Sequence, residues 1–408
     1  MSGTTRGAAL ELETRALEAN ARAISGRDTL ATPAPASSGG QADDWGREPR
    51  VRRPLLRARV GEAAGGAEIK TIVSAEVTSN NAYQADRLRA TFRLSPRDGF
   101  GLRWWGDQRK LILSVDMGLA EPGAAPQWQT VFIGEVDSVE ADPAQGTVEC
   151  QARDLSARFV DAKTQEAFLN QTCSEVVQIL AGRRGLKADV TPTTALVSRY
   201  YKDDHDAVSG GEFRRTVSEW DLLASFARNE GFDLWVHGTT IHFHPAARGG
   251  KLYRAEWNEG GAGPVCNVMN LRLERDLTLA KNHVVVTVRS WHGKKGKGFT
   301  KTSPSNSNLQ KGDAQRFTVT RPDLTEDQAQ KLADSIREDI TKNERLIRFD
   351  RPGDLNLTCR DKVQLTGTQS SWDQTYWVSE INRSLSVDGG FLMHVSGKNH
   401  SPESEGAR

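Results

Sequence analysis

The chain has 408 residues, 37% of them hydrophobic and 26% charged, which is typical of a soluble folded protein. This length exceeds what one hydrophobic core usually serves, so we expect two or three domains. The formal net charge of +1 argues against nucleic acid or an anionic membrane as the main partner. The longest apolar runs are of strand length, so stable membrane insertion is not expected, and the first thirty residues lack the apolar segment of a secretion signal.

The two ends of the chain differ from the rest in composition. Residues 1–51 are predicted to form an N-terminal extension, with an amphipathic helix at 8–24 and a flexible linker rich in Pro, Ser, Gly and Ala at 25–50. A lone helix of this length is marginal in water, so a docking helix and a disordered tail both remain open. Residues 401–408 are predicted to be a polar tail.

Residues 52–160 show the pattern of a β domain. Short alternating or apolar runs are separated by turn sequences rich in Asn, Pro, Asp and Gly, which predicts an antiparallel barrel or sandwich. The basic stretch 47–59 contains interleaved Pro and Leu, so it fits an extended surface strand better than a nucleic-acid site. The predicted strands are 68–78, 86–94, 110–116, 129–140 and 147–155.

Residues 161–264 are predicted to hold two helix-to-glycine-to-strand units. The first helix opens with Thr172 and Glu175, which have the spacing of a capping box, and ends near Gly185 before a strand at 186–190.

The second unit repeats this plan. Thr216 and Glu219 have the same spacing, Gly231 ends the helix, and an alternating strand follows it.

Residues 265–400 return to a β pattern that contains one long helix. Thr325 and Gln328 predict a capping box at the start of a helix that runs to about Arg345. The predicted strands are 268–275, 282–290, 315–320, 347–349, 355–358, 362–366, 375–385 and 391–395.

The closing segment carries two hydrophobic patterns with placed glycines. Residues 361–367 match D-x-V-x-[LV]-x-G, and residues 376–386 match YxVxxIxxxLS. Together with the tandem helix–strand units, these patterns resemble the late control protein D family of contractile phage tails, which is related to the trunk of type VI secretion spike proteins. The resemblance spans roughly 55–398. It implies a mainly β fold with α+β elements, in which two tail-tube-like antiparallel β-barrels (52–160 and 265–400) are linked by a mixed region (161–264).

The resemblance also implies a structural function without catalytic residues or cofactors. Such a protein is a baseplate hub, whose homotrimer presents six similar barrels and joins a six-fold tail tube above to a three-fold spike below. DNA or cargo would pass through the pore, and wedge or tape-measure components could dock through residues 8–24. The expected location is the virion tail baseplate, assembled in the bacterial host cytoplasm.

Six tryptophans lie near predicted turns or strand ends, and we expect about half of them at subunit interfaces. They are Trp104, Trp105, Trp128, Trp257, Trp291 and Trp372.

Two other classes of protein remain open: a tail-associated cell-wall hydrolase and a receptor-binding adhesin. The hydrolase would need clustered catalytic residues, but the sequence contains no G-x-S-x-G or H-E-x-x-H motif. The carboxylates Asp203 and Asp204 lie in a predicted loop without an apolar pocket that would raise a pKa. An adhesin would usually lack the helix inside the last β domain.

A metal site has one weak candidate, formed by His237, His242 and His244. The last two are two residues apart on a predicted strand and therefore share a face, but no third ligand stands at a fixed spacing. We therefore expect no metal.

Four cysteines lie far apart without a C-x-x-C pair, which favours buried, reduced thiols over disulfides or zinc. They are Cys150, Cys173, Cys266 and Cys359.

The basic segment 293–301 lacks the order of a phosphate-binding loop and is predicted to be a solvated loop between strands. If it faces the pore, it would contact DNA phosphates without reading sequence.

Overall fold

The computed structural model describes residues 52–61, 66–81, 83–166, 168–194, 196–201, 206–209, 217–245, 250–260, 263–279, 284–292, 297–304, 314–321 and 324–399. The predicted helix at 8–24, the linker at 25–50, the pair Asp203 and Asp204, and the tail at 401–408 lie outside these residues.

Strands dominate the described residues, so the prediction of a mainly β chain with α+β elements is confirmed. The helices are α1 (Leu102–Gly106), α2 (Ala157–Val160), α3 (Cys173–Arg183), α4 (Glu219–Glu230) and α5 (Glu326–Thr341). The strands are β1 (Arg53–Val60), β2 (Glu68–Ile69), β3 (Ile72–Asn80), β4 (Arg87–Arg93), β5 (Ile112–Ala120), β6 (Gln127–Asp142), β7 (Thr147–Asp154), β8 (Lys163–Thr164), β9 (Lys187–Val190), β10 (Ser198–Tyr201), β11 (Asp206–Ser209), β12 (Val217–Ser218), β13 (Phe232–His237), β14 (Thr240–Pro245), β15 (Leu252–Gly260), β16 (Gly263–Cys266), β17 (Met269–Arg275), β18 (Val284–His292), β19 (Lys297–Ser303), β20 (Gln315–Thr320), β21 (Arg345–Pro352), β22 (Lys362–Thr366), β23 (Thr375–Ser386) and β24 (Gly390–Asn399).

The first seven strands form a front set with the spatial order β2-β1-β5-β6-β7-β4-β3. All neighbours in this set are antiparallel, as predicted for this part of the chain. Alternate side chains of each strand enter one core, in which Val77, Phe92 and Leu113 are completely buried. The period-two pattern of the sequence therefore predicts correctly which face of each strand is buried in the core.

A rear set repeats this order with seven later strands, β16-β15-β22-β23-β24-β21-β17. When the strands of each set are counted along the chain, the same positions are neighbours in both sets. Both also carry a bulge at the same place, between Val136 and Ser138 where β6 faces β7, and between Val378 and Glu380 where β23 faces β24. The sets differ in one pairing, because β1 and β5 are antiparallel whereas β15 and β22 are parallel.

The two sets join into one continuous sheet. The second half of β23 pairs antiparallel with β3, from Glu380 opposite Asn80 to Ser386 opposite Ser74. Leu385 and Phe391 of the rear set are buried in the front core. This junction between β3 and β23, the seam, is therefore packed as well as hydrogen-bonded.

The mixed region between the sets folds around its own small sheet, β13-β14-β9. Helices α3 and α4 bury their apolar faces on one side of this sheet in a common core. The predicted capping box of Thr172 and Glu175 is present at the start of α3.

The predicted start of α4 is wrong. Ser218, not Thr216, is the N-cap, and its hydroxyl accepts a hydrogen bond from the backbone N–H of Asp221. The helix starts later because Val217 and Ser218 first pair as a strand with β8, and Glu219 is held by Arg184 instead of closing a capping box.

The long helix α5 lies in a segment that is inserted along the chain between β17 and β21. It packs on the sheet β19-β18-β20, and its capping box of Thr325 and Gln328 is present as predicted. The helix ends at Thr341, earlier than predicted, because Arg345 already starts the next strand.

The predicted strand at 355–358 does not form. Leu355 and Leu357 are buried from a loop, where the carboxylate of Asp361 accepts hydrogen bonds from the backbone N–H groups of Lys251 and Thr358. Alternation alone therefore misassigned a buried loop as a strand.

Candidate functional site

The outer face of the sheet β13-β14-β9 brings two of the predicted histidines together with an aspartate. His242 and His244 alternate on β14, and Asp189 lies directly opposite His242 on the parallel neighbour β9. Oδ2 of Asp189 is 3.0 Å from Nδ1 of His242 and 3.2 Å from Nε2 of His244. The three ligand atoms lie within 4.8 Å of one another.

Neighbouring side chains hold this cluster in place. The ring of Trp235 stacks on His242 with centroids 4.6 Å apart, and the guanidinium of Arg360 covers the Trp235 ring. The hydroxyl of Thr191 is 2.9 Å from Nδ1 of His244. Hydrogen bonds from His244 and His242 lower the pKa of Asp189. Burial lowers the pKa of His242 and outweighs the opposing effect of Asp189.

His237, the third predicted histidine, is not part of the cluster. It lies at the end of β13 beside a cavity of about 80 Å³, which Asp86 and Asp154 also line. Sequence reasoning missed Asp189 because the pairing of β9 with β14 joins segments separated by a whole helix–strand unit.

The carboxyl groups of Asp86 and Asp154 are neighbours where the front set meets the mixed region; Asp154 is buried and Asp86 is half-buried. Burial and, after it, the nearby charge of Asp86 together raise the pKa of Asp154 to about 7. Burial also raises the pKa of Asp86 to about 6. Oδ1 of Asp154 accepts hydrogen bonds from the backbone N–H and the hydroxyl of Ser156.

The end of β6 is an exposed sheet edge with a groove of mixed polar and apolar lining beside it. Val139 is 37% exposed, and the groove that it shares with Leu102 and Trp105 has a volume of about 440 Å³. The indole N–H of Trp105 is buried there without a hydrogen-bond partner among the described residues. Ile381, the counterpart of Val139 after the shared bulge, is completely buried. The front set thus leaves exposed a position that the rear set covers.

The strands β16 and β17 form the exposed edges of the rear set. Val265 on β16 is 68% exposed and Met269 on β17 is 42% exposed. Within the described part of the chain, β17 pairs with β21 and with no other strand. Cys266 on β16 is exposed, so the prediction of buried thiols is wrong for this cysteine: among the described residues, its strand has a neighbour on one side only.

The basic stretch at 47–59 supplies internal ion pairs. In β1, the guanidinium groups of Arg57 and Arg59 both lie 2.7 Å from the carboxylate of Asp116, which is 1% exposed. These charges neutralise a buried carboxylate, in agreement with the prediction of a strand.

The six tryptophans fall into three groups. Trp105 is buried, Trp128 and Trp291 are exposed, and Trp104, Trp257 and Trp372 are partly buried against the cores.

The predicted loop 293–301 is shorter in the structure, because β19 already begins at Lys297. Lys301 forms an ion pair of 2.8 Å with Glu326 of α5, and residues 293–296 lie outside the described residues. Among the described helices, none is long and apolar enough to cross a membrane.

Solved structures of phage tail proteins share this fold, although no protein-family model and no curated protein matches the sequence. A tail protein from Neisseria meningitidis MC58 matches with a TM-score of 0.62 at 15% identity, over 86% of this chain and 99% of that protein. The 43 kDa tail protein of prophage MuSo2 from Shewanella oneidensis matches with a TM-score of 0.55 at 14% identity, over 85% and 97%. The prophage tail protein gp18 from Listeria monocytogenes EGD-e matches with a TM-score of 0.52 at 11% identity, over 84% and 94%. The chain therefore has the fold of phage tail proteins, and the resemblance drawn from its sequence is confirmed at the level of the fold.

Proposed function

We propose that this chain is a structural baseplate hub protein of a contractile phage tail or a related injection device, without enzymatic activity. The observation that supports this most directly is the repeated order of seven strands in the front and rear sets. Three chains, each with two copies of one sheet plan, present six similar units in a ring. Such a ring can meet a six-fold tube on one side and a three-fold spike on the other.

In this proposal each set curls into a tube-like barrel, and the mixed region forms a wedge beside the two barrels. β1, the second strand from one end of the front order, contacts β3 at the other end, which favours closure of the front set. In the rear set, Tyr253 of β15, again the second strand, and Leu273 of β17, the last strand, pack in one core, which brings opposite ends of that order close together.

The seam within the chain suggests how neighbouring chains associate. The second half of β23 is covered by β3, the third strand of the other set. The second half of β6 is equivalent to this part of β23, and its corresponding edge has no neighbouring strand among the described residues. The outer edge of β17, the strand equivalent to β3, has no neighbouring strand among these residues either. We therefore expect β6 of one chain to pair with β17 of the next.

This pairing is head to tail, and three chains close it into a ring when each junction turns the chain by one third of a full rotation. Each junction between neighbours would repeat the junction within a chain. It would also cover two exposed sheet edges, which otherwise promote aggregation. Val139 would become buried as Ile381 is, since a neighbouring strand would lie over the groove.

The fit to a tail suggests the partners: a tube protein, a spike protein, and wedge or tape-measure components at residues 8–24. DNA or cargo would pass through the pore. In this proposal the protein is a virion component that assembles in the host cytoplasm before incorporation.

The test uses Val139→Lys and Met269→Lys, which put a charge on each of the two edges. Light scattering after size exclusion should give a trimer for the wild-type protein and a monomer for both variants. Val387→Lys is the matched control, because Val387 is 80% exposed in a hairpin turn away from both edges. This variant should remain trimeric.

A wild-type protein that stays monomeric at high concentration and binds neither tube nor spike protein would contradict the proposal. A trimer unaffected by both edge variants would contradict the pairing of β6 with β17. A zymogram on bacterial cell walls separates the hub from a hydrolase, since a hub should clear no cell wall.

A further inference from the structure

The cluster on the outer face of β13-β14-β9 has the composition and spacing of a metal site. We propose that Asp189, His242 and His244 bind a divalent transition-metal ion, with zinc as the physiological choice. Two imidazoles and one carboxylate are a common ligand set for zinc, and the remaining coordination position is left to water.

The distances suit such an ion without rearrangement of the backbone. Tetrahedral zinc with bonds of about 2.0–2.1 Å places its ligand atoms about 3.3 Å apart. The carboxylate oxygen of Asp189 is 3.0 Å from the nitrogen of His242 and 3.2 Å from that of His244. An ion would replace the hydrogen atoms that these groups now share.

The fold fixes the orientation of all three ligands. Positions 242 and 244 point to one face because side chains alternate along a strand, and the parallel register places Asp189 opposite His242. The stacked ring of Trp235 restricts His242. The hydroxyl of Thr191 lies 2.9 Å from Nδ1 of His244, the ring nitrogen that faces away from Asp189. With an ion on Nε2, Nδ1 would carry the proton and donate it to this hydroxyl.

The site is also open enough to be loaded. The Asp189 side chain is 58% exposed, whereas those of His242 and His244 are 20% and 30% exposed. An ion can therefore enter from solvent, and a water molecule can complete its shell.

A bound ion would join the two helix–strand units of the mixed region. Asp189 is on β9, which follows α3, whereas both histidines are on β14, which follows α4 and β13. The sheet connects these units through the short parallel pairing of β9 with β14. A metal bridge across this pairing would stabilise the outer edge of the mixed region.

The test is titration of the full chain, stripped of metal, with zinc chloride in a calorimeter. We expect one ion per chain, and a thermal transition that rises with zinc and falls again with a chelator. Asp189→Asn keeps the size of the side chain, and His244→Ala removes a ligand, so each should weaken binding at least tenfold. Thr191→Val should weaken it roughly tenfold, because it removes only the partner that orients His244.

His394→Ala is the matched control. His394 also contacts an aspartate, with its Nδ1 2.5 Å from Asp350, but the described residues supply no third ligand to that pair. This variant should bind zinc as the wild-type protein does. Replacement of zinc by cobalt(II) should give the visible absorption of a tetrahedral ion in the wild-type protein and not in the Asp189→Asn variant.

The proposal is overturned if the wild-type protein shows no saturable binding of zinc, if Asp189→Asn binds as well as the wild-type protein, or if His394→Ala loses affinity to the same extent. These outcomes do not affect the hub proposal, which depends on the sheet edges of the front and rear sets.

Discussion

Asp154 is a carboxyl group that the fold has removed from water and placed beside a second one, Asp86. Both have pKa values raised by burial, to about 7 and about 6, whereas the ordinary value for aspartate is 3.8. The folded state therefore binds more protons than the unfolded state between about pH 4 and pH 7. The stabilising contribution of the pair is complete below the ordinary pKa and is lost as the pH rises through 6 and 7.

We predict that Asp154→Asn removes much of this pH dependence. Asparagine retains an oxygen that can accept the hydrogen bonds from Ser156, but it carries no charge at any pH. Between pH 5 and pH 8, the unfolding free energy of the wild-type protein should fall by roughly 1–2 kcal/mol more than that of the variant. Urea unfolding at both pH values measures this difference. Parallel changes in the two proteins would show that the pair does not titrate in this window.

Whether single residues could be predicted from the sequence depended on how local their partners are. The pair His242 and His244 was predicted because its spacing is that of one strand. Asp189 was not predicted as part of this cluster, and the pairing of Asp86 with Asp154 was not predicted either. In each case the partners lie on different strands, brought together by pairings that a local pattern does not encode.

Helix α4 illustrates the same limit at the level of an element. Its amphipathic face and the terminating Gly231 were predicted correctly, and Gly231 has φ 68°, the left-handed conformation that favours glycine. The start of α4 was predicted wrongly, because the short pairing of β12 with β8 delays the first helical turn. Strands followed the same rule: their period-two cores were predicted, but their ends shifted by a few residues.

We predict that Ser218→Ala destabilises the protein by about 1 kcal/mol, since it removes the side-chain acceptor for a free N–H at the start of α4. Ser225→Ala is the matched control within the same helix. Its hydroxyl only donates back to the carbonyl of Leu222, so this change should stay within about 0.5 kcal/mol. Chemical unfolding measures both. Equal losses would mean that the cap at Ser218 contributes nothing specific.

At the scale of the whole molecule, the fold class could be predicted and the architecture only in outline. The sequence indicated two β regions around a mixed region, because turns and alternation are local signals. It did not reveal that β15, within 161–264, and β16, which crosses residue 264, belong to the rear set, or that α5 covers an inserted sheet of its own. Both features depend on contacts between segments far apart along the chain.

The seam between β3 and β23 joins the front and rear sets by both hydrogen bonds and packing, so we expect them to unfold as one cooperative unit. The rear residue Phe391 is buried in the front core, and its ring leaves no room for a side chain at Gly353. We predict a single unfolding transition in urea, with tryptophan fluorescence and far-ultraviolet circular dichroism coinciding. Phe391→Ala should shift that whole transition by about 3–5 kcal/mol, because it opens a cavity in the front core at the seam.

Phe317→Ala is the control for this change, since Phe317 is 36% exposed on β20 and away from the seam. It should cost less than about 1 kcal/mol, because much less apolar surface is lost from a buried position. If the front and rear sets were independent, unfolding would show two transitions, and Phe391→Ala would displace only one of them. A single displaced transition means that the front and rear sets are coupled within one chain. In the proposed ring, a β6–β17 junction built in the same way would couple neighbouring chains as well.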